Sequence, residues 1–306
     1  MTDILGGLFI SPTIHTALII GGFVAAVTAI VGVFTVIRGQ SFAGHALADL
    51  GAVGGAGAFL VGISQLWGFI GAGIIAALLM ELVGVRRLQR RDVTTGIIFS
   101  FGLGLTALFL YWDTTTANSS NAAIAILFGS LFVIDPSVIP LVVILSMIAL
   151  TLIVAIYRWL QMETLHHDLA TTRGVPVRLT SLLFLIALAL AVELSSLTIG
   201  AILSTALLIG PAATALQLTK RFGIAVLLAA GIGVAATWLG CLISYESYYW
   251  GGHHDNWPVS FCIVALIFLT YLAVRLSTGH RRIRKRPIGA AVSVSTRTVR
   301  DAEMIP

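Results

Sequence analysis

Nine apolar stretches, each long enough to cross a hydrocarbon layer, leave this chain few folds to choose from. They fall at residues 14–37, 44–63, 67–85, 94–112, 138–160, 179–194, 198–218, 222–244 and 258–276. A spanning helix needs roughly 17–25 residues of this kind. Only 10% of the 306 residues are charged and the mean hydropathy is +1.01, against about 25% charge in a soluble domain. The reading is an all-α, polytopic integral membrane protein, a bundle of about eight or nine spanning helices. A tenth apolar piece, residues 121–133, is too short to span and reads as a re-entrant or interfacial helix. The first stretch has no basic run before it and no small-residue cleavage site after it, so it reads as a retained span. Cys241 and Cys262 both lie in apolar stretches, which gives neither a disulfide framework nor a thiolate metal cluster.

The net charge of +5 invites a nucleic-acid partner, but the placement of the 18 Lys and Arg points elsewhere. Arg38, Arg86, Arg87, Arg90, Arg91, Arg158, Arg173, Arg178, Lys220, Arg221 and Arg275 all follow an odd-numbered span or precede an even-numbered one. Seven more crowd the tail from Arg281 to Arg300, and residues 62–66, 113–136, 195–197 and 245–257 contain none. The positive-inside rule then puts the N-terminus outside and the C-terminus in the cytoplasm. The chain divides into a transmembrane domain, 1–278, and a basic cytoplasmic tail, 279–306. That tail reads as an anchor to anionic lipid heads and not as a nucleic-acid site.

Within this bundle, residues 41–60 stand out. His45 and Asp49 are four apart, which puts both side chains on one helical face roughly 6 Å apart. Ionisable groups at hydrocarbon depth are costly and mark pathways or sites. An imidazole nitrogen beside a carboxylate oxygen suits Mn²⁺, Zn²⁺ or Fe²⁺. Two ligands do not complete a site, so others must come from different spans or a partner subunit. The alternative is a hydrogen-bonded polar pair that locks two helices together. The small residues Gly51 to Gly57 then form a close-packed stretch. With this helix running outward from the cytoplasm, the pair is expected nearer an inner gate than the outer mouth.

Other acids and histidines are few. Glu193 precedes residues 195–200, which read as a break between two half-helices where ions make contact; the rival reading is a residue at the lipid–water interface. Glu81, one turn before Arg86 and Arg87, reads as a snorkelling ion pair. Residues 245–257 combine an aromatic belt with His253, His254 and Asp255, a possible metal-collecting mouth. Asp113 and Asp135 read as acids marking the outer surface. Residues 163–178 form an amphipathic piece ended by Gly174 and Pro176, and Pro211 is expected to break the seventh span. The two lysines, Lys220 and Lys285, do not sit in a phosphate loop, and no nucleophilic constellation is present. Any ATP-driven step would need a separate ATPase.

Five segments resemble the permease subunits of bacterial ABC importers for zinc, manganese and iron, a likeness that covers about residues 10–275. They are Arg38 with Ser41-Phe42-Ala43-Gly44-His45 through Asp49; Ile126-Leu127-Phe128-Gly129-Ser130; Asp168-Leu169-Ala170 with Arg173-Gly174-Val175-Pro176; Gly200-Ala201-Ile202-Leu203 with Leu207 through Ala215; and Gly240 with Ser244-Tyr245. The family places an acid first and a His four residues later; here His45 comes first and Asp49 second. Both remain metal-ligand types. The resemblance implies a fold similar to the vitamin B12 and siderophore importer permeases, working as a dimer with a second copy or a sister permease around a central path. It implies no cofactor in this chain, ATP bound by two cytoplasmic ATPases, and a divalent metal delivered by an extracytoplasmic binding protein at a bacterial inner membrane. It implies that residues 211–221, with Pro211, Thr214, Lys220 and Arg221, dock into the ATPase, with Asp168, Arg173 and Gly174 beside them. A proton-coupled carrier using Glu193 and Asp49 is the alternative from another transport class; no inverted repeat supports it. An intramembrane enzyme lacks a catalytic constellation.

Overall fold

A computed structural model describes residues 12–82, 88–116, 121–129, 131–165, 173, 175–247 and 257–284. Ten α-helices follow one another there: α1 Pro12–Ile37, α2 Ser41–Val61, α3 Gln65–Leu82, α4 Leu88–Thr116, α5 Asn121–Phe128, α6 Ile139–Leu165, α7 Val177–Ile199, α8 Ala201–Leu218, α9 Phe222–Ser247 and α10 Val259–Arg284. All but α5 are long and apolar enough to cross a membrane. Helices are what such sequences must form in lipid, because each closes its backbone hydrogen bonds within itself.

The bundle is built around α7. About 83% of its span is buried inside the protein, against 17% of α4 at the periphery. Phe184, Leu185, Leu188, Ala189 and Ala191 are fully enclosed, and α1, α2, α3, α6 and α8 all pack on this helix. The Thr28 hydroxyl of α1 donates to the Ala191 carbonyl at 3.0 Å. Small residues let the other helices close up, since packing in lipid depends on backbone approach. Gly54 of α2 and Gly68 of α3 meet backbone to backbone, and Gly55 lies against the Phe69 ring. The small-residue run of α2 is therefore the close-packed seam expected of it, with α3 as its partner.

Two expected breaks are not where the sequence suggested. Residues 195–199 are helical, and the interruption between α7 and α8 is the single residue Gly200, at φ +90°. That conformation favours glycine. It also brings Gly200 against the backbone of Leu127 and Phe128, while Gly129, at φ +82°, meets the backbone of Thr198 to Gly200. The end of α5 is thus seated on the α7–α8 corner, where the Ser260 hydroxyl also donates to the Phe128 carbonyl. Nor does Pro211 break its span: α8 runs unbroken from Ala201 to Leu218. Proline costs one backbone hydrogen bond, but Leu207, Leu208, Ala212 and Ala215 around it are buried, and this packing holds the helix together.

Candidate functional site

His45 and Asp49 come together on α2 as their spacing requires, with His45 Nε2 3.6 Å from Asp49 Oδ2. The His45 side chain is 38% exposed and that of Asp49 only 6%. His45 Nδ1 shares a 2.9 Å hydrogen bond with the Thr205 hydroxyl of α8, and its ring packs 5.4 Å from that of Phe99. With Nδ1 protonated and donating to Thr205, the Nε2 lone pair is left on the Asp49 side, the arrangement a ligating histidine uses. Asp49 Oδ2 itself accepts no hydrogen bond.

Glu193 is not an interfacial residue. It is 1% exposed, because Gly51 of α2 and Gly73 of α3 lack the Cβ atoms that would occupy the space of its carboxylate. Neither of its oxygens has a hydrogen-bond partner, and it lies within electrostatic reach of Asp49. Ser195 and Ser196, in the following turn, are also enclosed with unpartnered hydroxyls. Burying a carboxylate with no partner is costly, so this seam concentrates unmet polarity in an otherwise apolar core.

The depth of the pair also differs from expectation. Arg38 stands over the Phe184 ring, Gly44 lies near Leu188, and Gly51 meets Glu193. These pairs advance together, so α2 and α7 run parallel. Leu188 lies eleven residues into α7 and Gly44 three into α2, so α2 starts about 12 Å farther along at 1.5 Å per residue. The pair therefore faces the second half of α7 and not its first turns. Arg38, just past the end of α1, meets Glu163 near the end of α6 and Phe184 seven residues into α7.

Among the described residues, no three or more His, Cys, Asp or Glu side chains gather to hold a metal ion. One chain offers the His45/Asp49 pair with Glu193 across the seam. His253, His254, Asp255, Asp168 and Gly174 lie outside the described residues. Pro211 and Thr214 are buried inside the bundle, and the Thr214 hydroxyl donates to the Gly210 carbonyl at 2.7 Å. They cannot be surface contacts. Lys220, Arg221 and Arg173 are exposed. Glu81 accepts a hydrogen bond from the Ser181 hydroxyl at 2.8 Å; the partners expected for it, Arg86 and Arg87, lie outside the described residues. Asp113 is a buried residue within α4 and not a surface acid, whereas Asp135 is exposed and caps a short 3-10 turn. Sequence reasoning missed Thr205 and Gly73 as shapers of the seam, and Glu163 as the partner of Arg38. Only Glu163 left a trace, as an acid at the end of a span on the same side as Arg38.

Residues 11–275 match the ABC 3 transport family. The manganese import system permease protein ScaB of Streptococcus parasanguinis is 29% identical over 272 residues, covering 88% of this chain and 93% of ScaB. The chelated iron transport system membrane protein YfeC of Yersinia pestis is 30% identical over 230 residues, covering 75% of this chain and 76% of YfeC. The solved structure of PsaBC from Streptococcus pneumoniae in complex with Fab superposes with a TM-score of 0.76 at 26% identity, over 90% of this chain and 95% of that one. With the family spanning nearly all of the helical bundle, this chain belongs to the ABC 3 transport family.

Proposed function

We propose that this chain is the membrane-spanning permease subunit of an ATP-driven ABC importer for divalent metal cations of the manganese, iron and zinc class. The observation that carries the reading is the His45/Asp49 pair, a nitrogen and an oxygen ligand one turn apart in a spanning helix, in a chain whose relatives are manganese and iron permeases. The metal is cargo. His45 Nε2 and Asp49 would take it in transit, and Glu193 would lend charge from α7. Two ligands from one chain favour a second permease copy, whose own pair would help complete the coordination. A separate ATPase on the cytoplasmic side would contact the exposed Lys220 and Arg221, and an extracytoplasmic binding protein would deliver the ion. The positive-inside pattern supports a cytoplasmic C-terminus. The proton-coupled carrier is not favoured, since ABC family membership implies ATP as the driving force.

The test is uptake of Mn²⁺, Fe²⁺ and Zn²⁺ by cells that lack other high-affinity importers. His45→Ala and Asp49→Ala should each reduce uptake of the favoured ion by roughly 100-fold, the upper end of losses seen when a metal's supporting shell is damaged. Membrane insertion should stay at the wild-type level. Normal uptake by both inserted variants would remove the site assignment.

A further inference from the structure

The junction between α1 and α2 holds a largely shielded ion pair for which the transport site has no direct use. Arg38 Nη2 donates to Glu163 Oε1 at 3.1 Å and Nη1 to Oε2 at 3.2 Å. Both side chains are under a tenth exposed, and the guanidinium lies 5.1 Å from the centre of the Phe184 ring. Such a two-pronged contact fixes direction as well as distance, which a lysine could not do. One turn earlier, Phe34 packs edge-on against Tyr157 of α6 at 6.1 Å and Phe222 of α9 at 5.2 Å. Glu163 lies near the end of α6, and Phe222 directly follows Lys220 and Arg221. The end of α1 is therefore gripped by the end of α6 and by the start of α9, which directly follows the Lys220 and Arg221 that the functional reading turns toward the ATPase.

On the other side of Arg38 only two residues precede α2. Gly39 sits at φ +64°, its N–H donating to the Val36 carbonyl at 3.1 Å, and the Gln40 N–H donates to the Thr35 carbonyl at 2.9 Å. Gln40 is buried. A junction this short and this internally bonded has no slack to absorb a displacement of Arg38. His45 lies one turn beyond the start of α2.

We propose that the Arg38–Glu163 pair is the mechanical link that carries motion of α6 and the neighbouring cytoplasmic segments to α2, with Arg38 the positioning residue that sets His45 and Asp49 for loading and release. This rests on the ABC permease reading. The link is rigid in both partners: the bidentate contact holds α1 to α6, and the bonded junction holds α1 to α2.

The test uses the full transporter with its ATPase in proteoliposomes, with ATP hydrolysis and Mn²⁺ uptake measured separately. The double variant Arg38→Gln/Glu163→Gln removes the link without stranding a charge. Its ATP hydrolysis should stay within a factor of about two of wild type while Mn²⁺ moved per ATP falls roughly tenfold, within the range of coupling changes reached by mutations between sites. The exchanged variant Arg38→Glu/Glu163→Arg should recover part of the loss, because the ion pair is restored but the Phe184 contact is not. Arg38→Lys, which keeps the charge and loses the fork, should fall between. An unchanged ratio in the double variant would overturn the proposal, as would equal loss of hydrolysis and uptake in all three variants. A wild-type complex that shows no ATP-driven uptake of any divalent metal would overturn the permease reading itself and the link with it.

Discussion

Two glutamates shielded from solvent to different degrees have opposite surroundings in this bundle. Glu163 is met on both oxygens by the Arg38 guanidinium, whereas Glu193, more deeply enclosed, is met on neither. A paired acid in the interior holds helices in place, and an unpaired one is a cost that folding alone does not explain. Glu163 thus reads as architecture or linkage. Glu193, set in space left open by two glycines beside Asp49, reads as a group kept available.

Mutations can break this contrast, and they should do so with different signatures. Glu163→Ala strands the Arg38 charge and should destabilise the protein by about 3–5 kcal/mol, read as a loss of thermal stability in detergent. Gly51→Ala places a Cβ on the Glu193 carboxylate and should cost about 1–3 kcal/mol by overpacking, together with a loss of uptake. Glu193→Gln strands nothing. It should change stability by less than about 1 kcal/mol, as expected when no hydrogen bond is lost, while still lowering metal uptake. If Glu193→Gln proved as destabilising as Glu163→Ala, the contrast would fail. The smallest effect is expected at Asp135. There the Ser137 backbone N–H donates to the carboxylate at 2.7 Å and holds its pKa below the usual 3.8. A depressed carboxylate pKa stabilises the fold above the usual value, and that contribution is lost as pH falls through the lowered one. Asp135→Asn should therefore lower stability slightly at neutral pH and flatten the acid side of the profile, the two proteins converging once pH falls below the lowered pKa.

Much of the membrane architecture was legible because it depends on local composition. Each span announces itself as an apolar run, and the His45/Asp49 pair is fixed by the helical repeat. The boundary at Gly200 was placed too early, since Ser195 to Thr198 look like a polar break until the burial around them is seen. Pro211 misled for a related reason. Its lost hydrogen bond is a local cost, and the packing that outweighs it comes from helices distant in sequence. In the sequence Arg38 looks like one more inner-face marker, because a basic residue at the end of a span fits the charge rule whether it meets lipid heads or a shielded glutamate.

The class of the molecule, its spans and the pairing of His45 and Asp49 on one helical face could be read from the chain alone. These follow from hydrophobicity and periodicity, which act over a few turns of one helix. That Glu193 is enclosed, that Arg38 is paired with Glu163, and that α2 starts partway along α7 emerges only when distant helices are packed together. The first depends on which glycines lie opposite Glu193 across the helix seam, and the other two on which distant helices meet. That is a matter of steric fit between distant segments, to which local composition is blind.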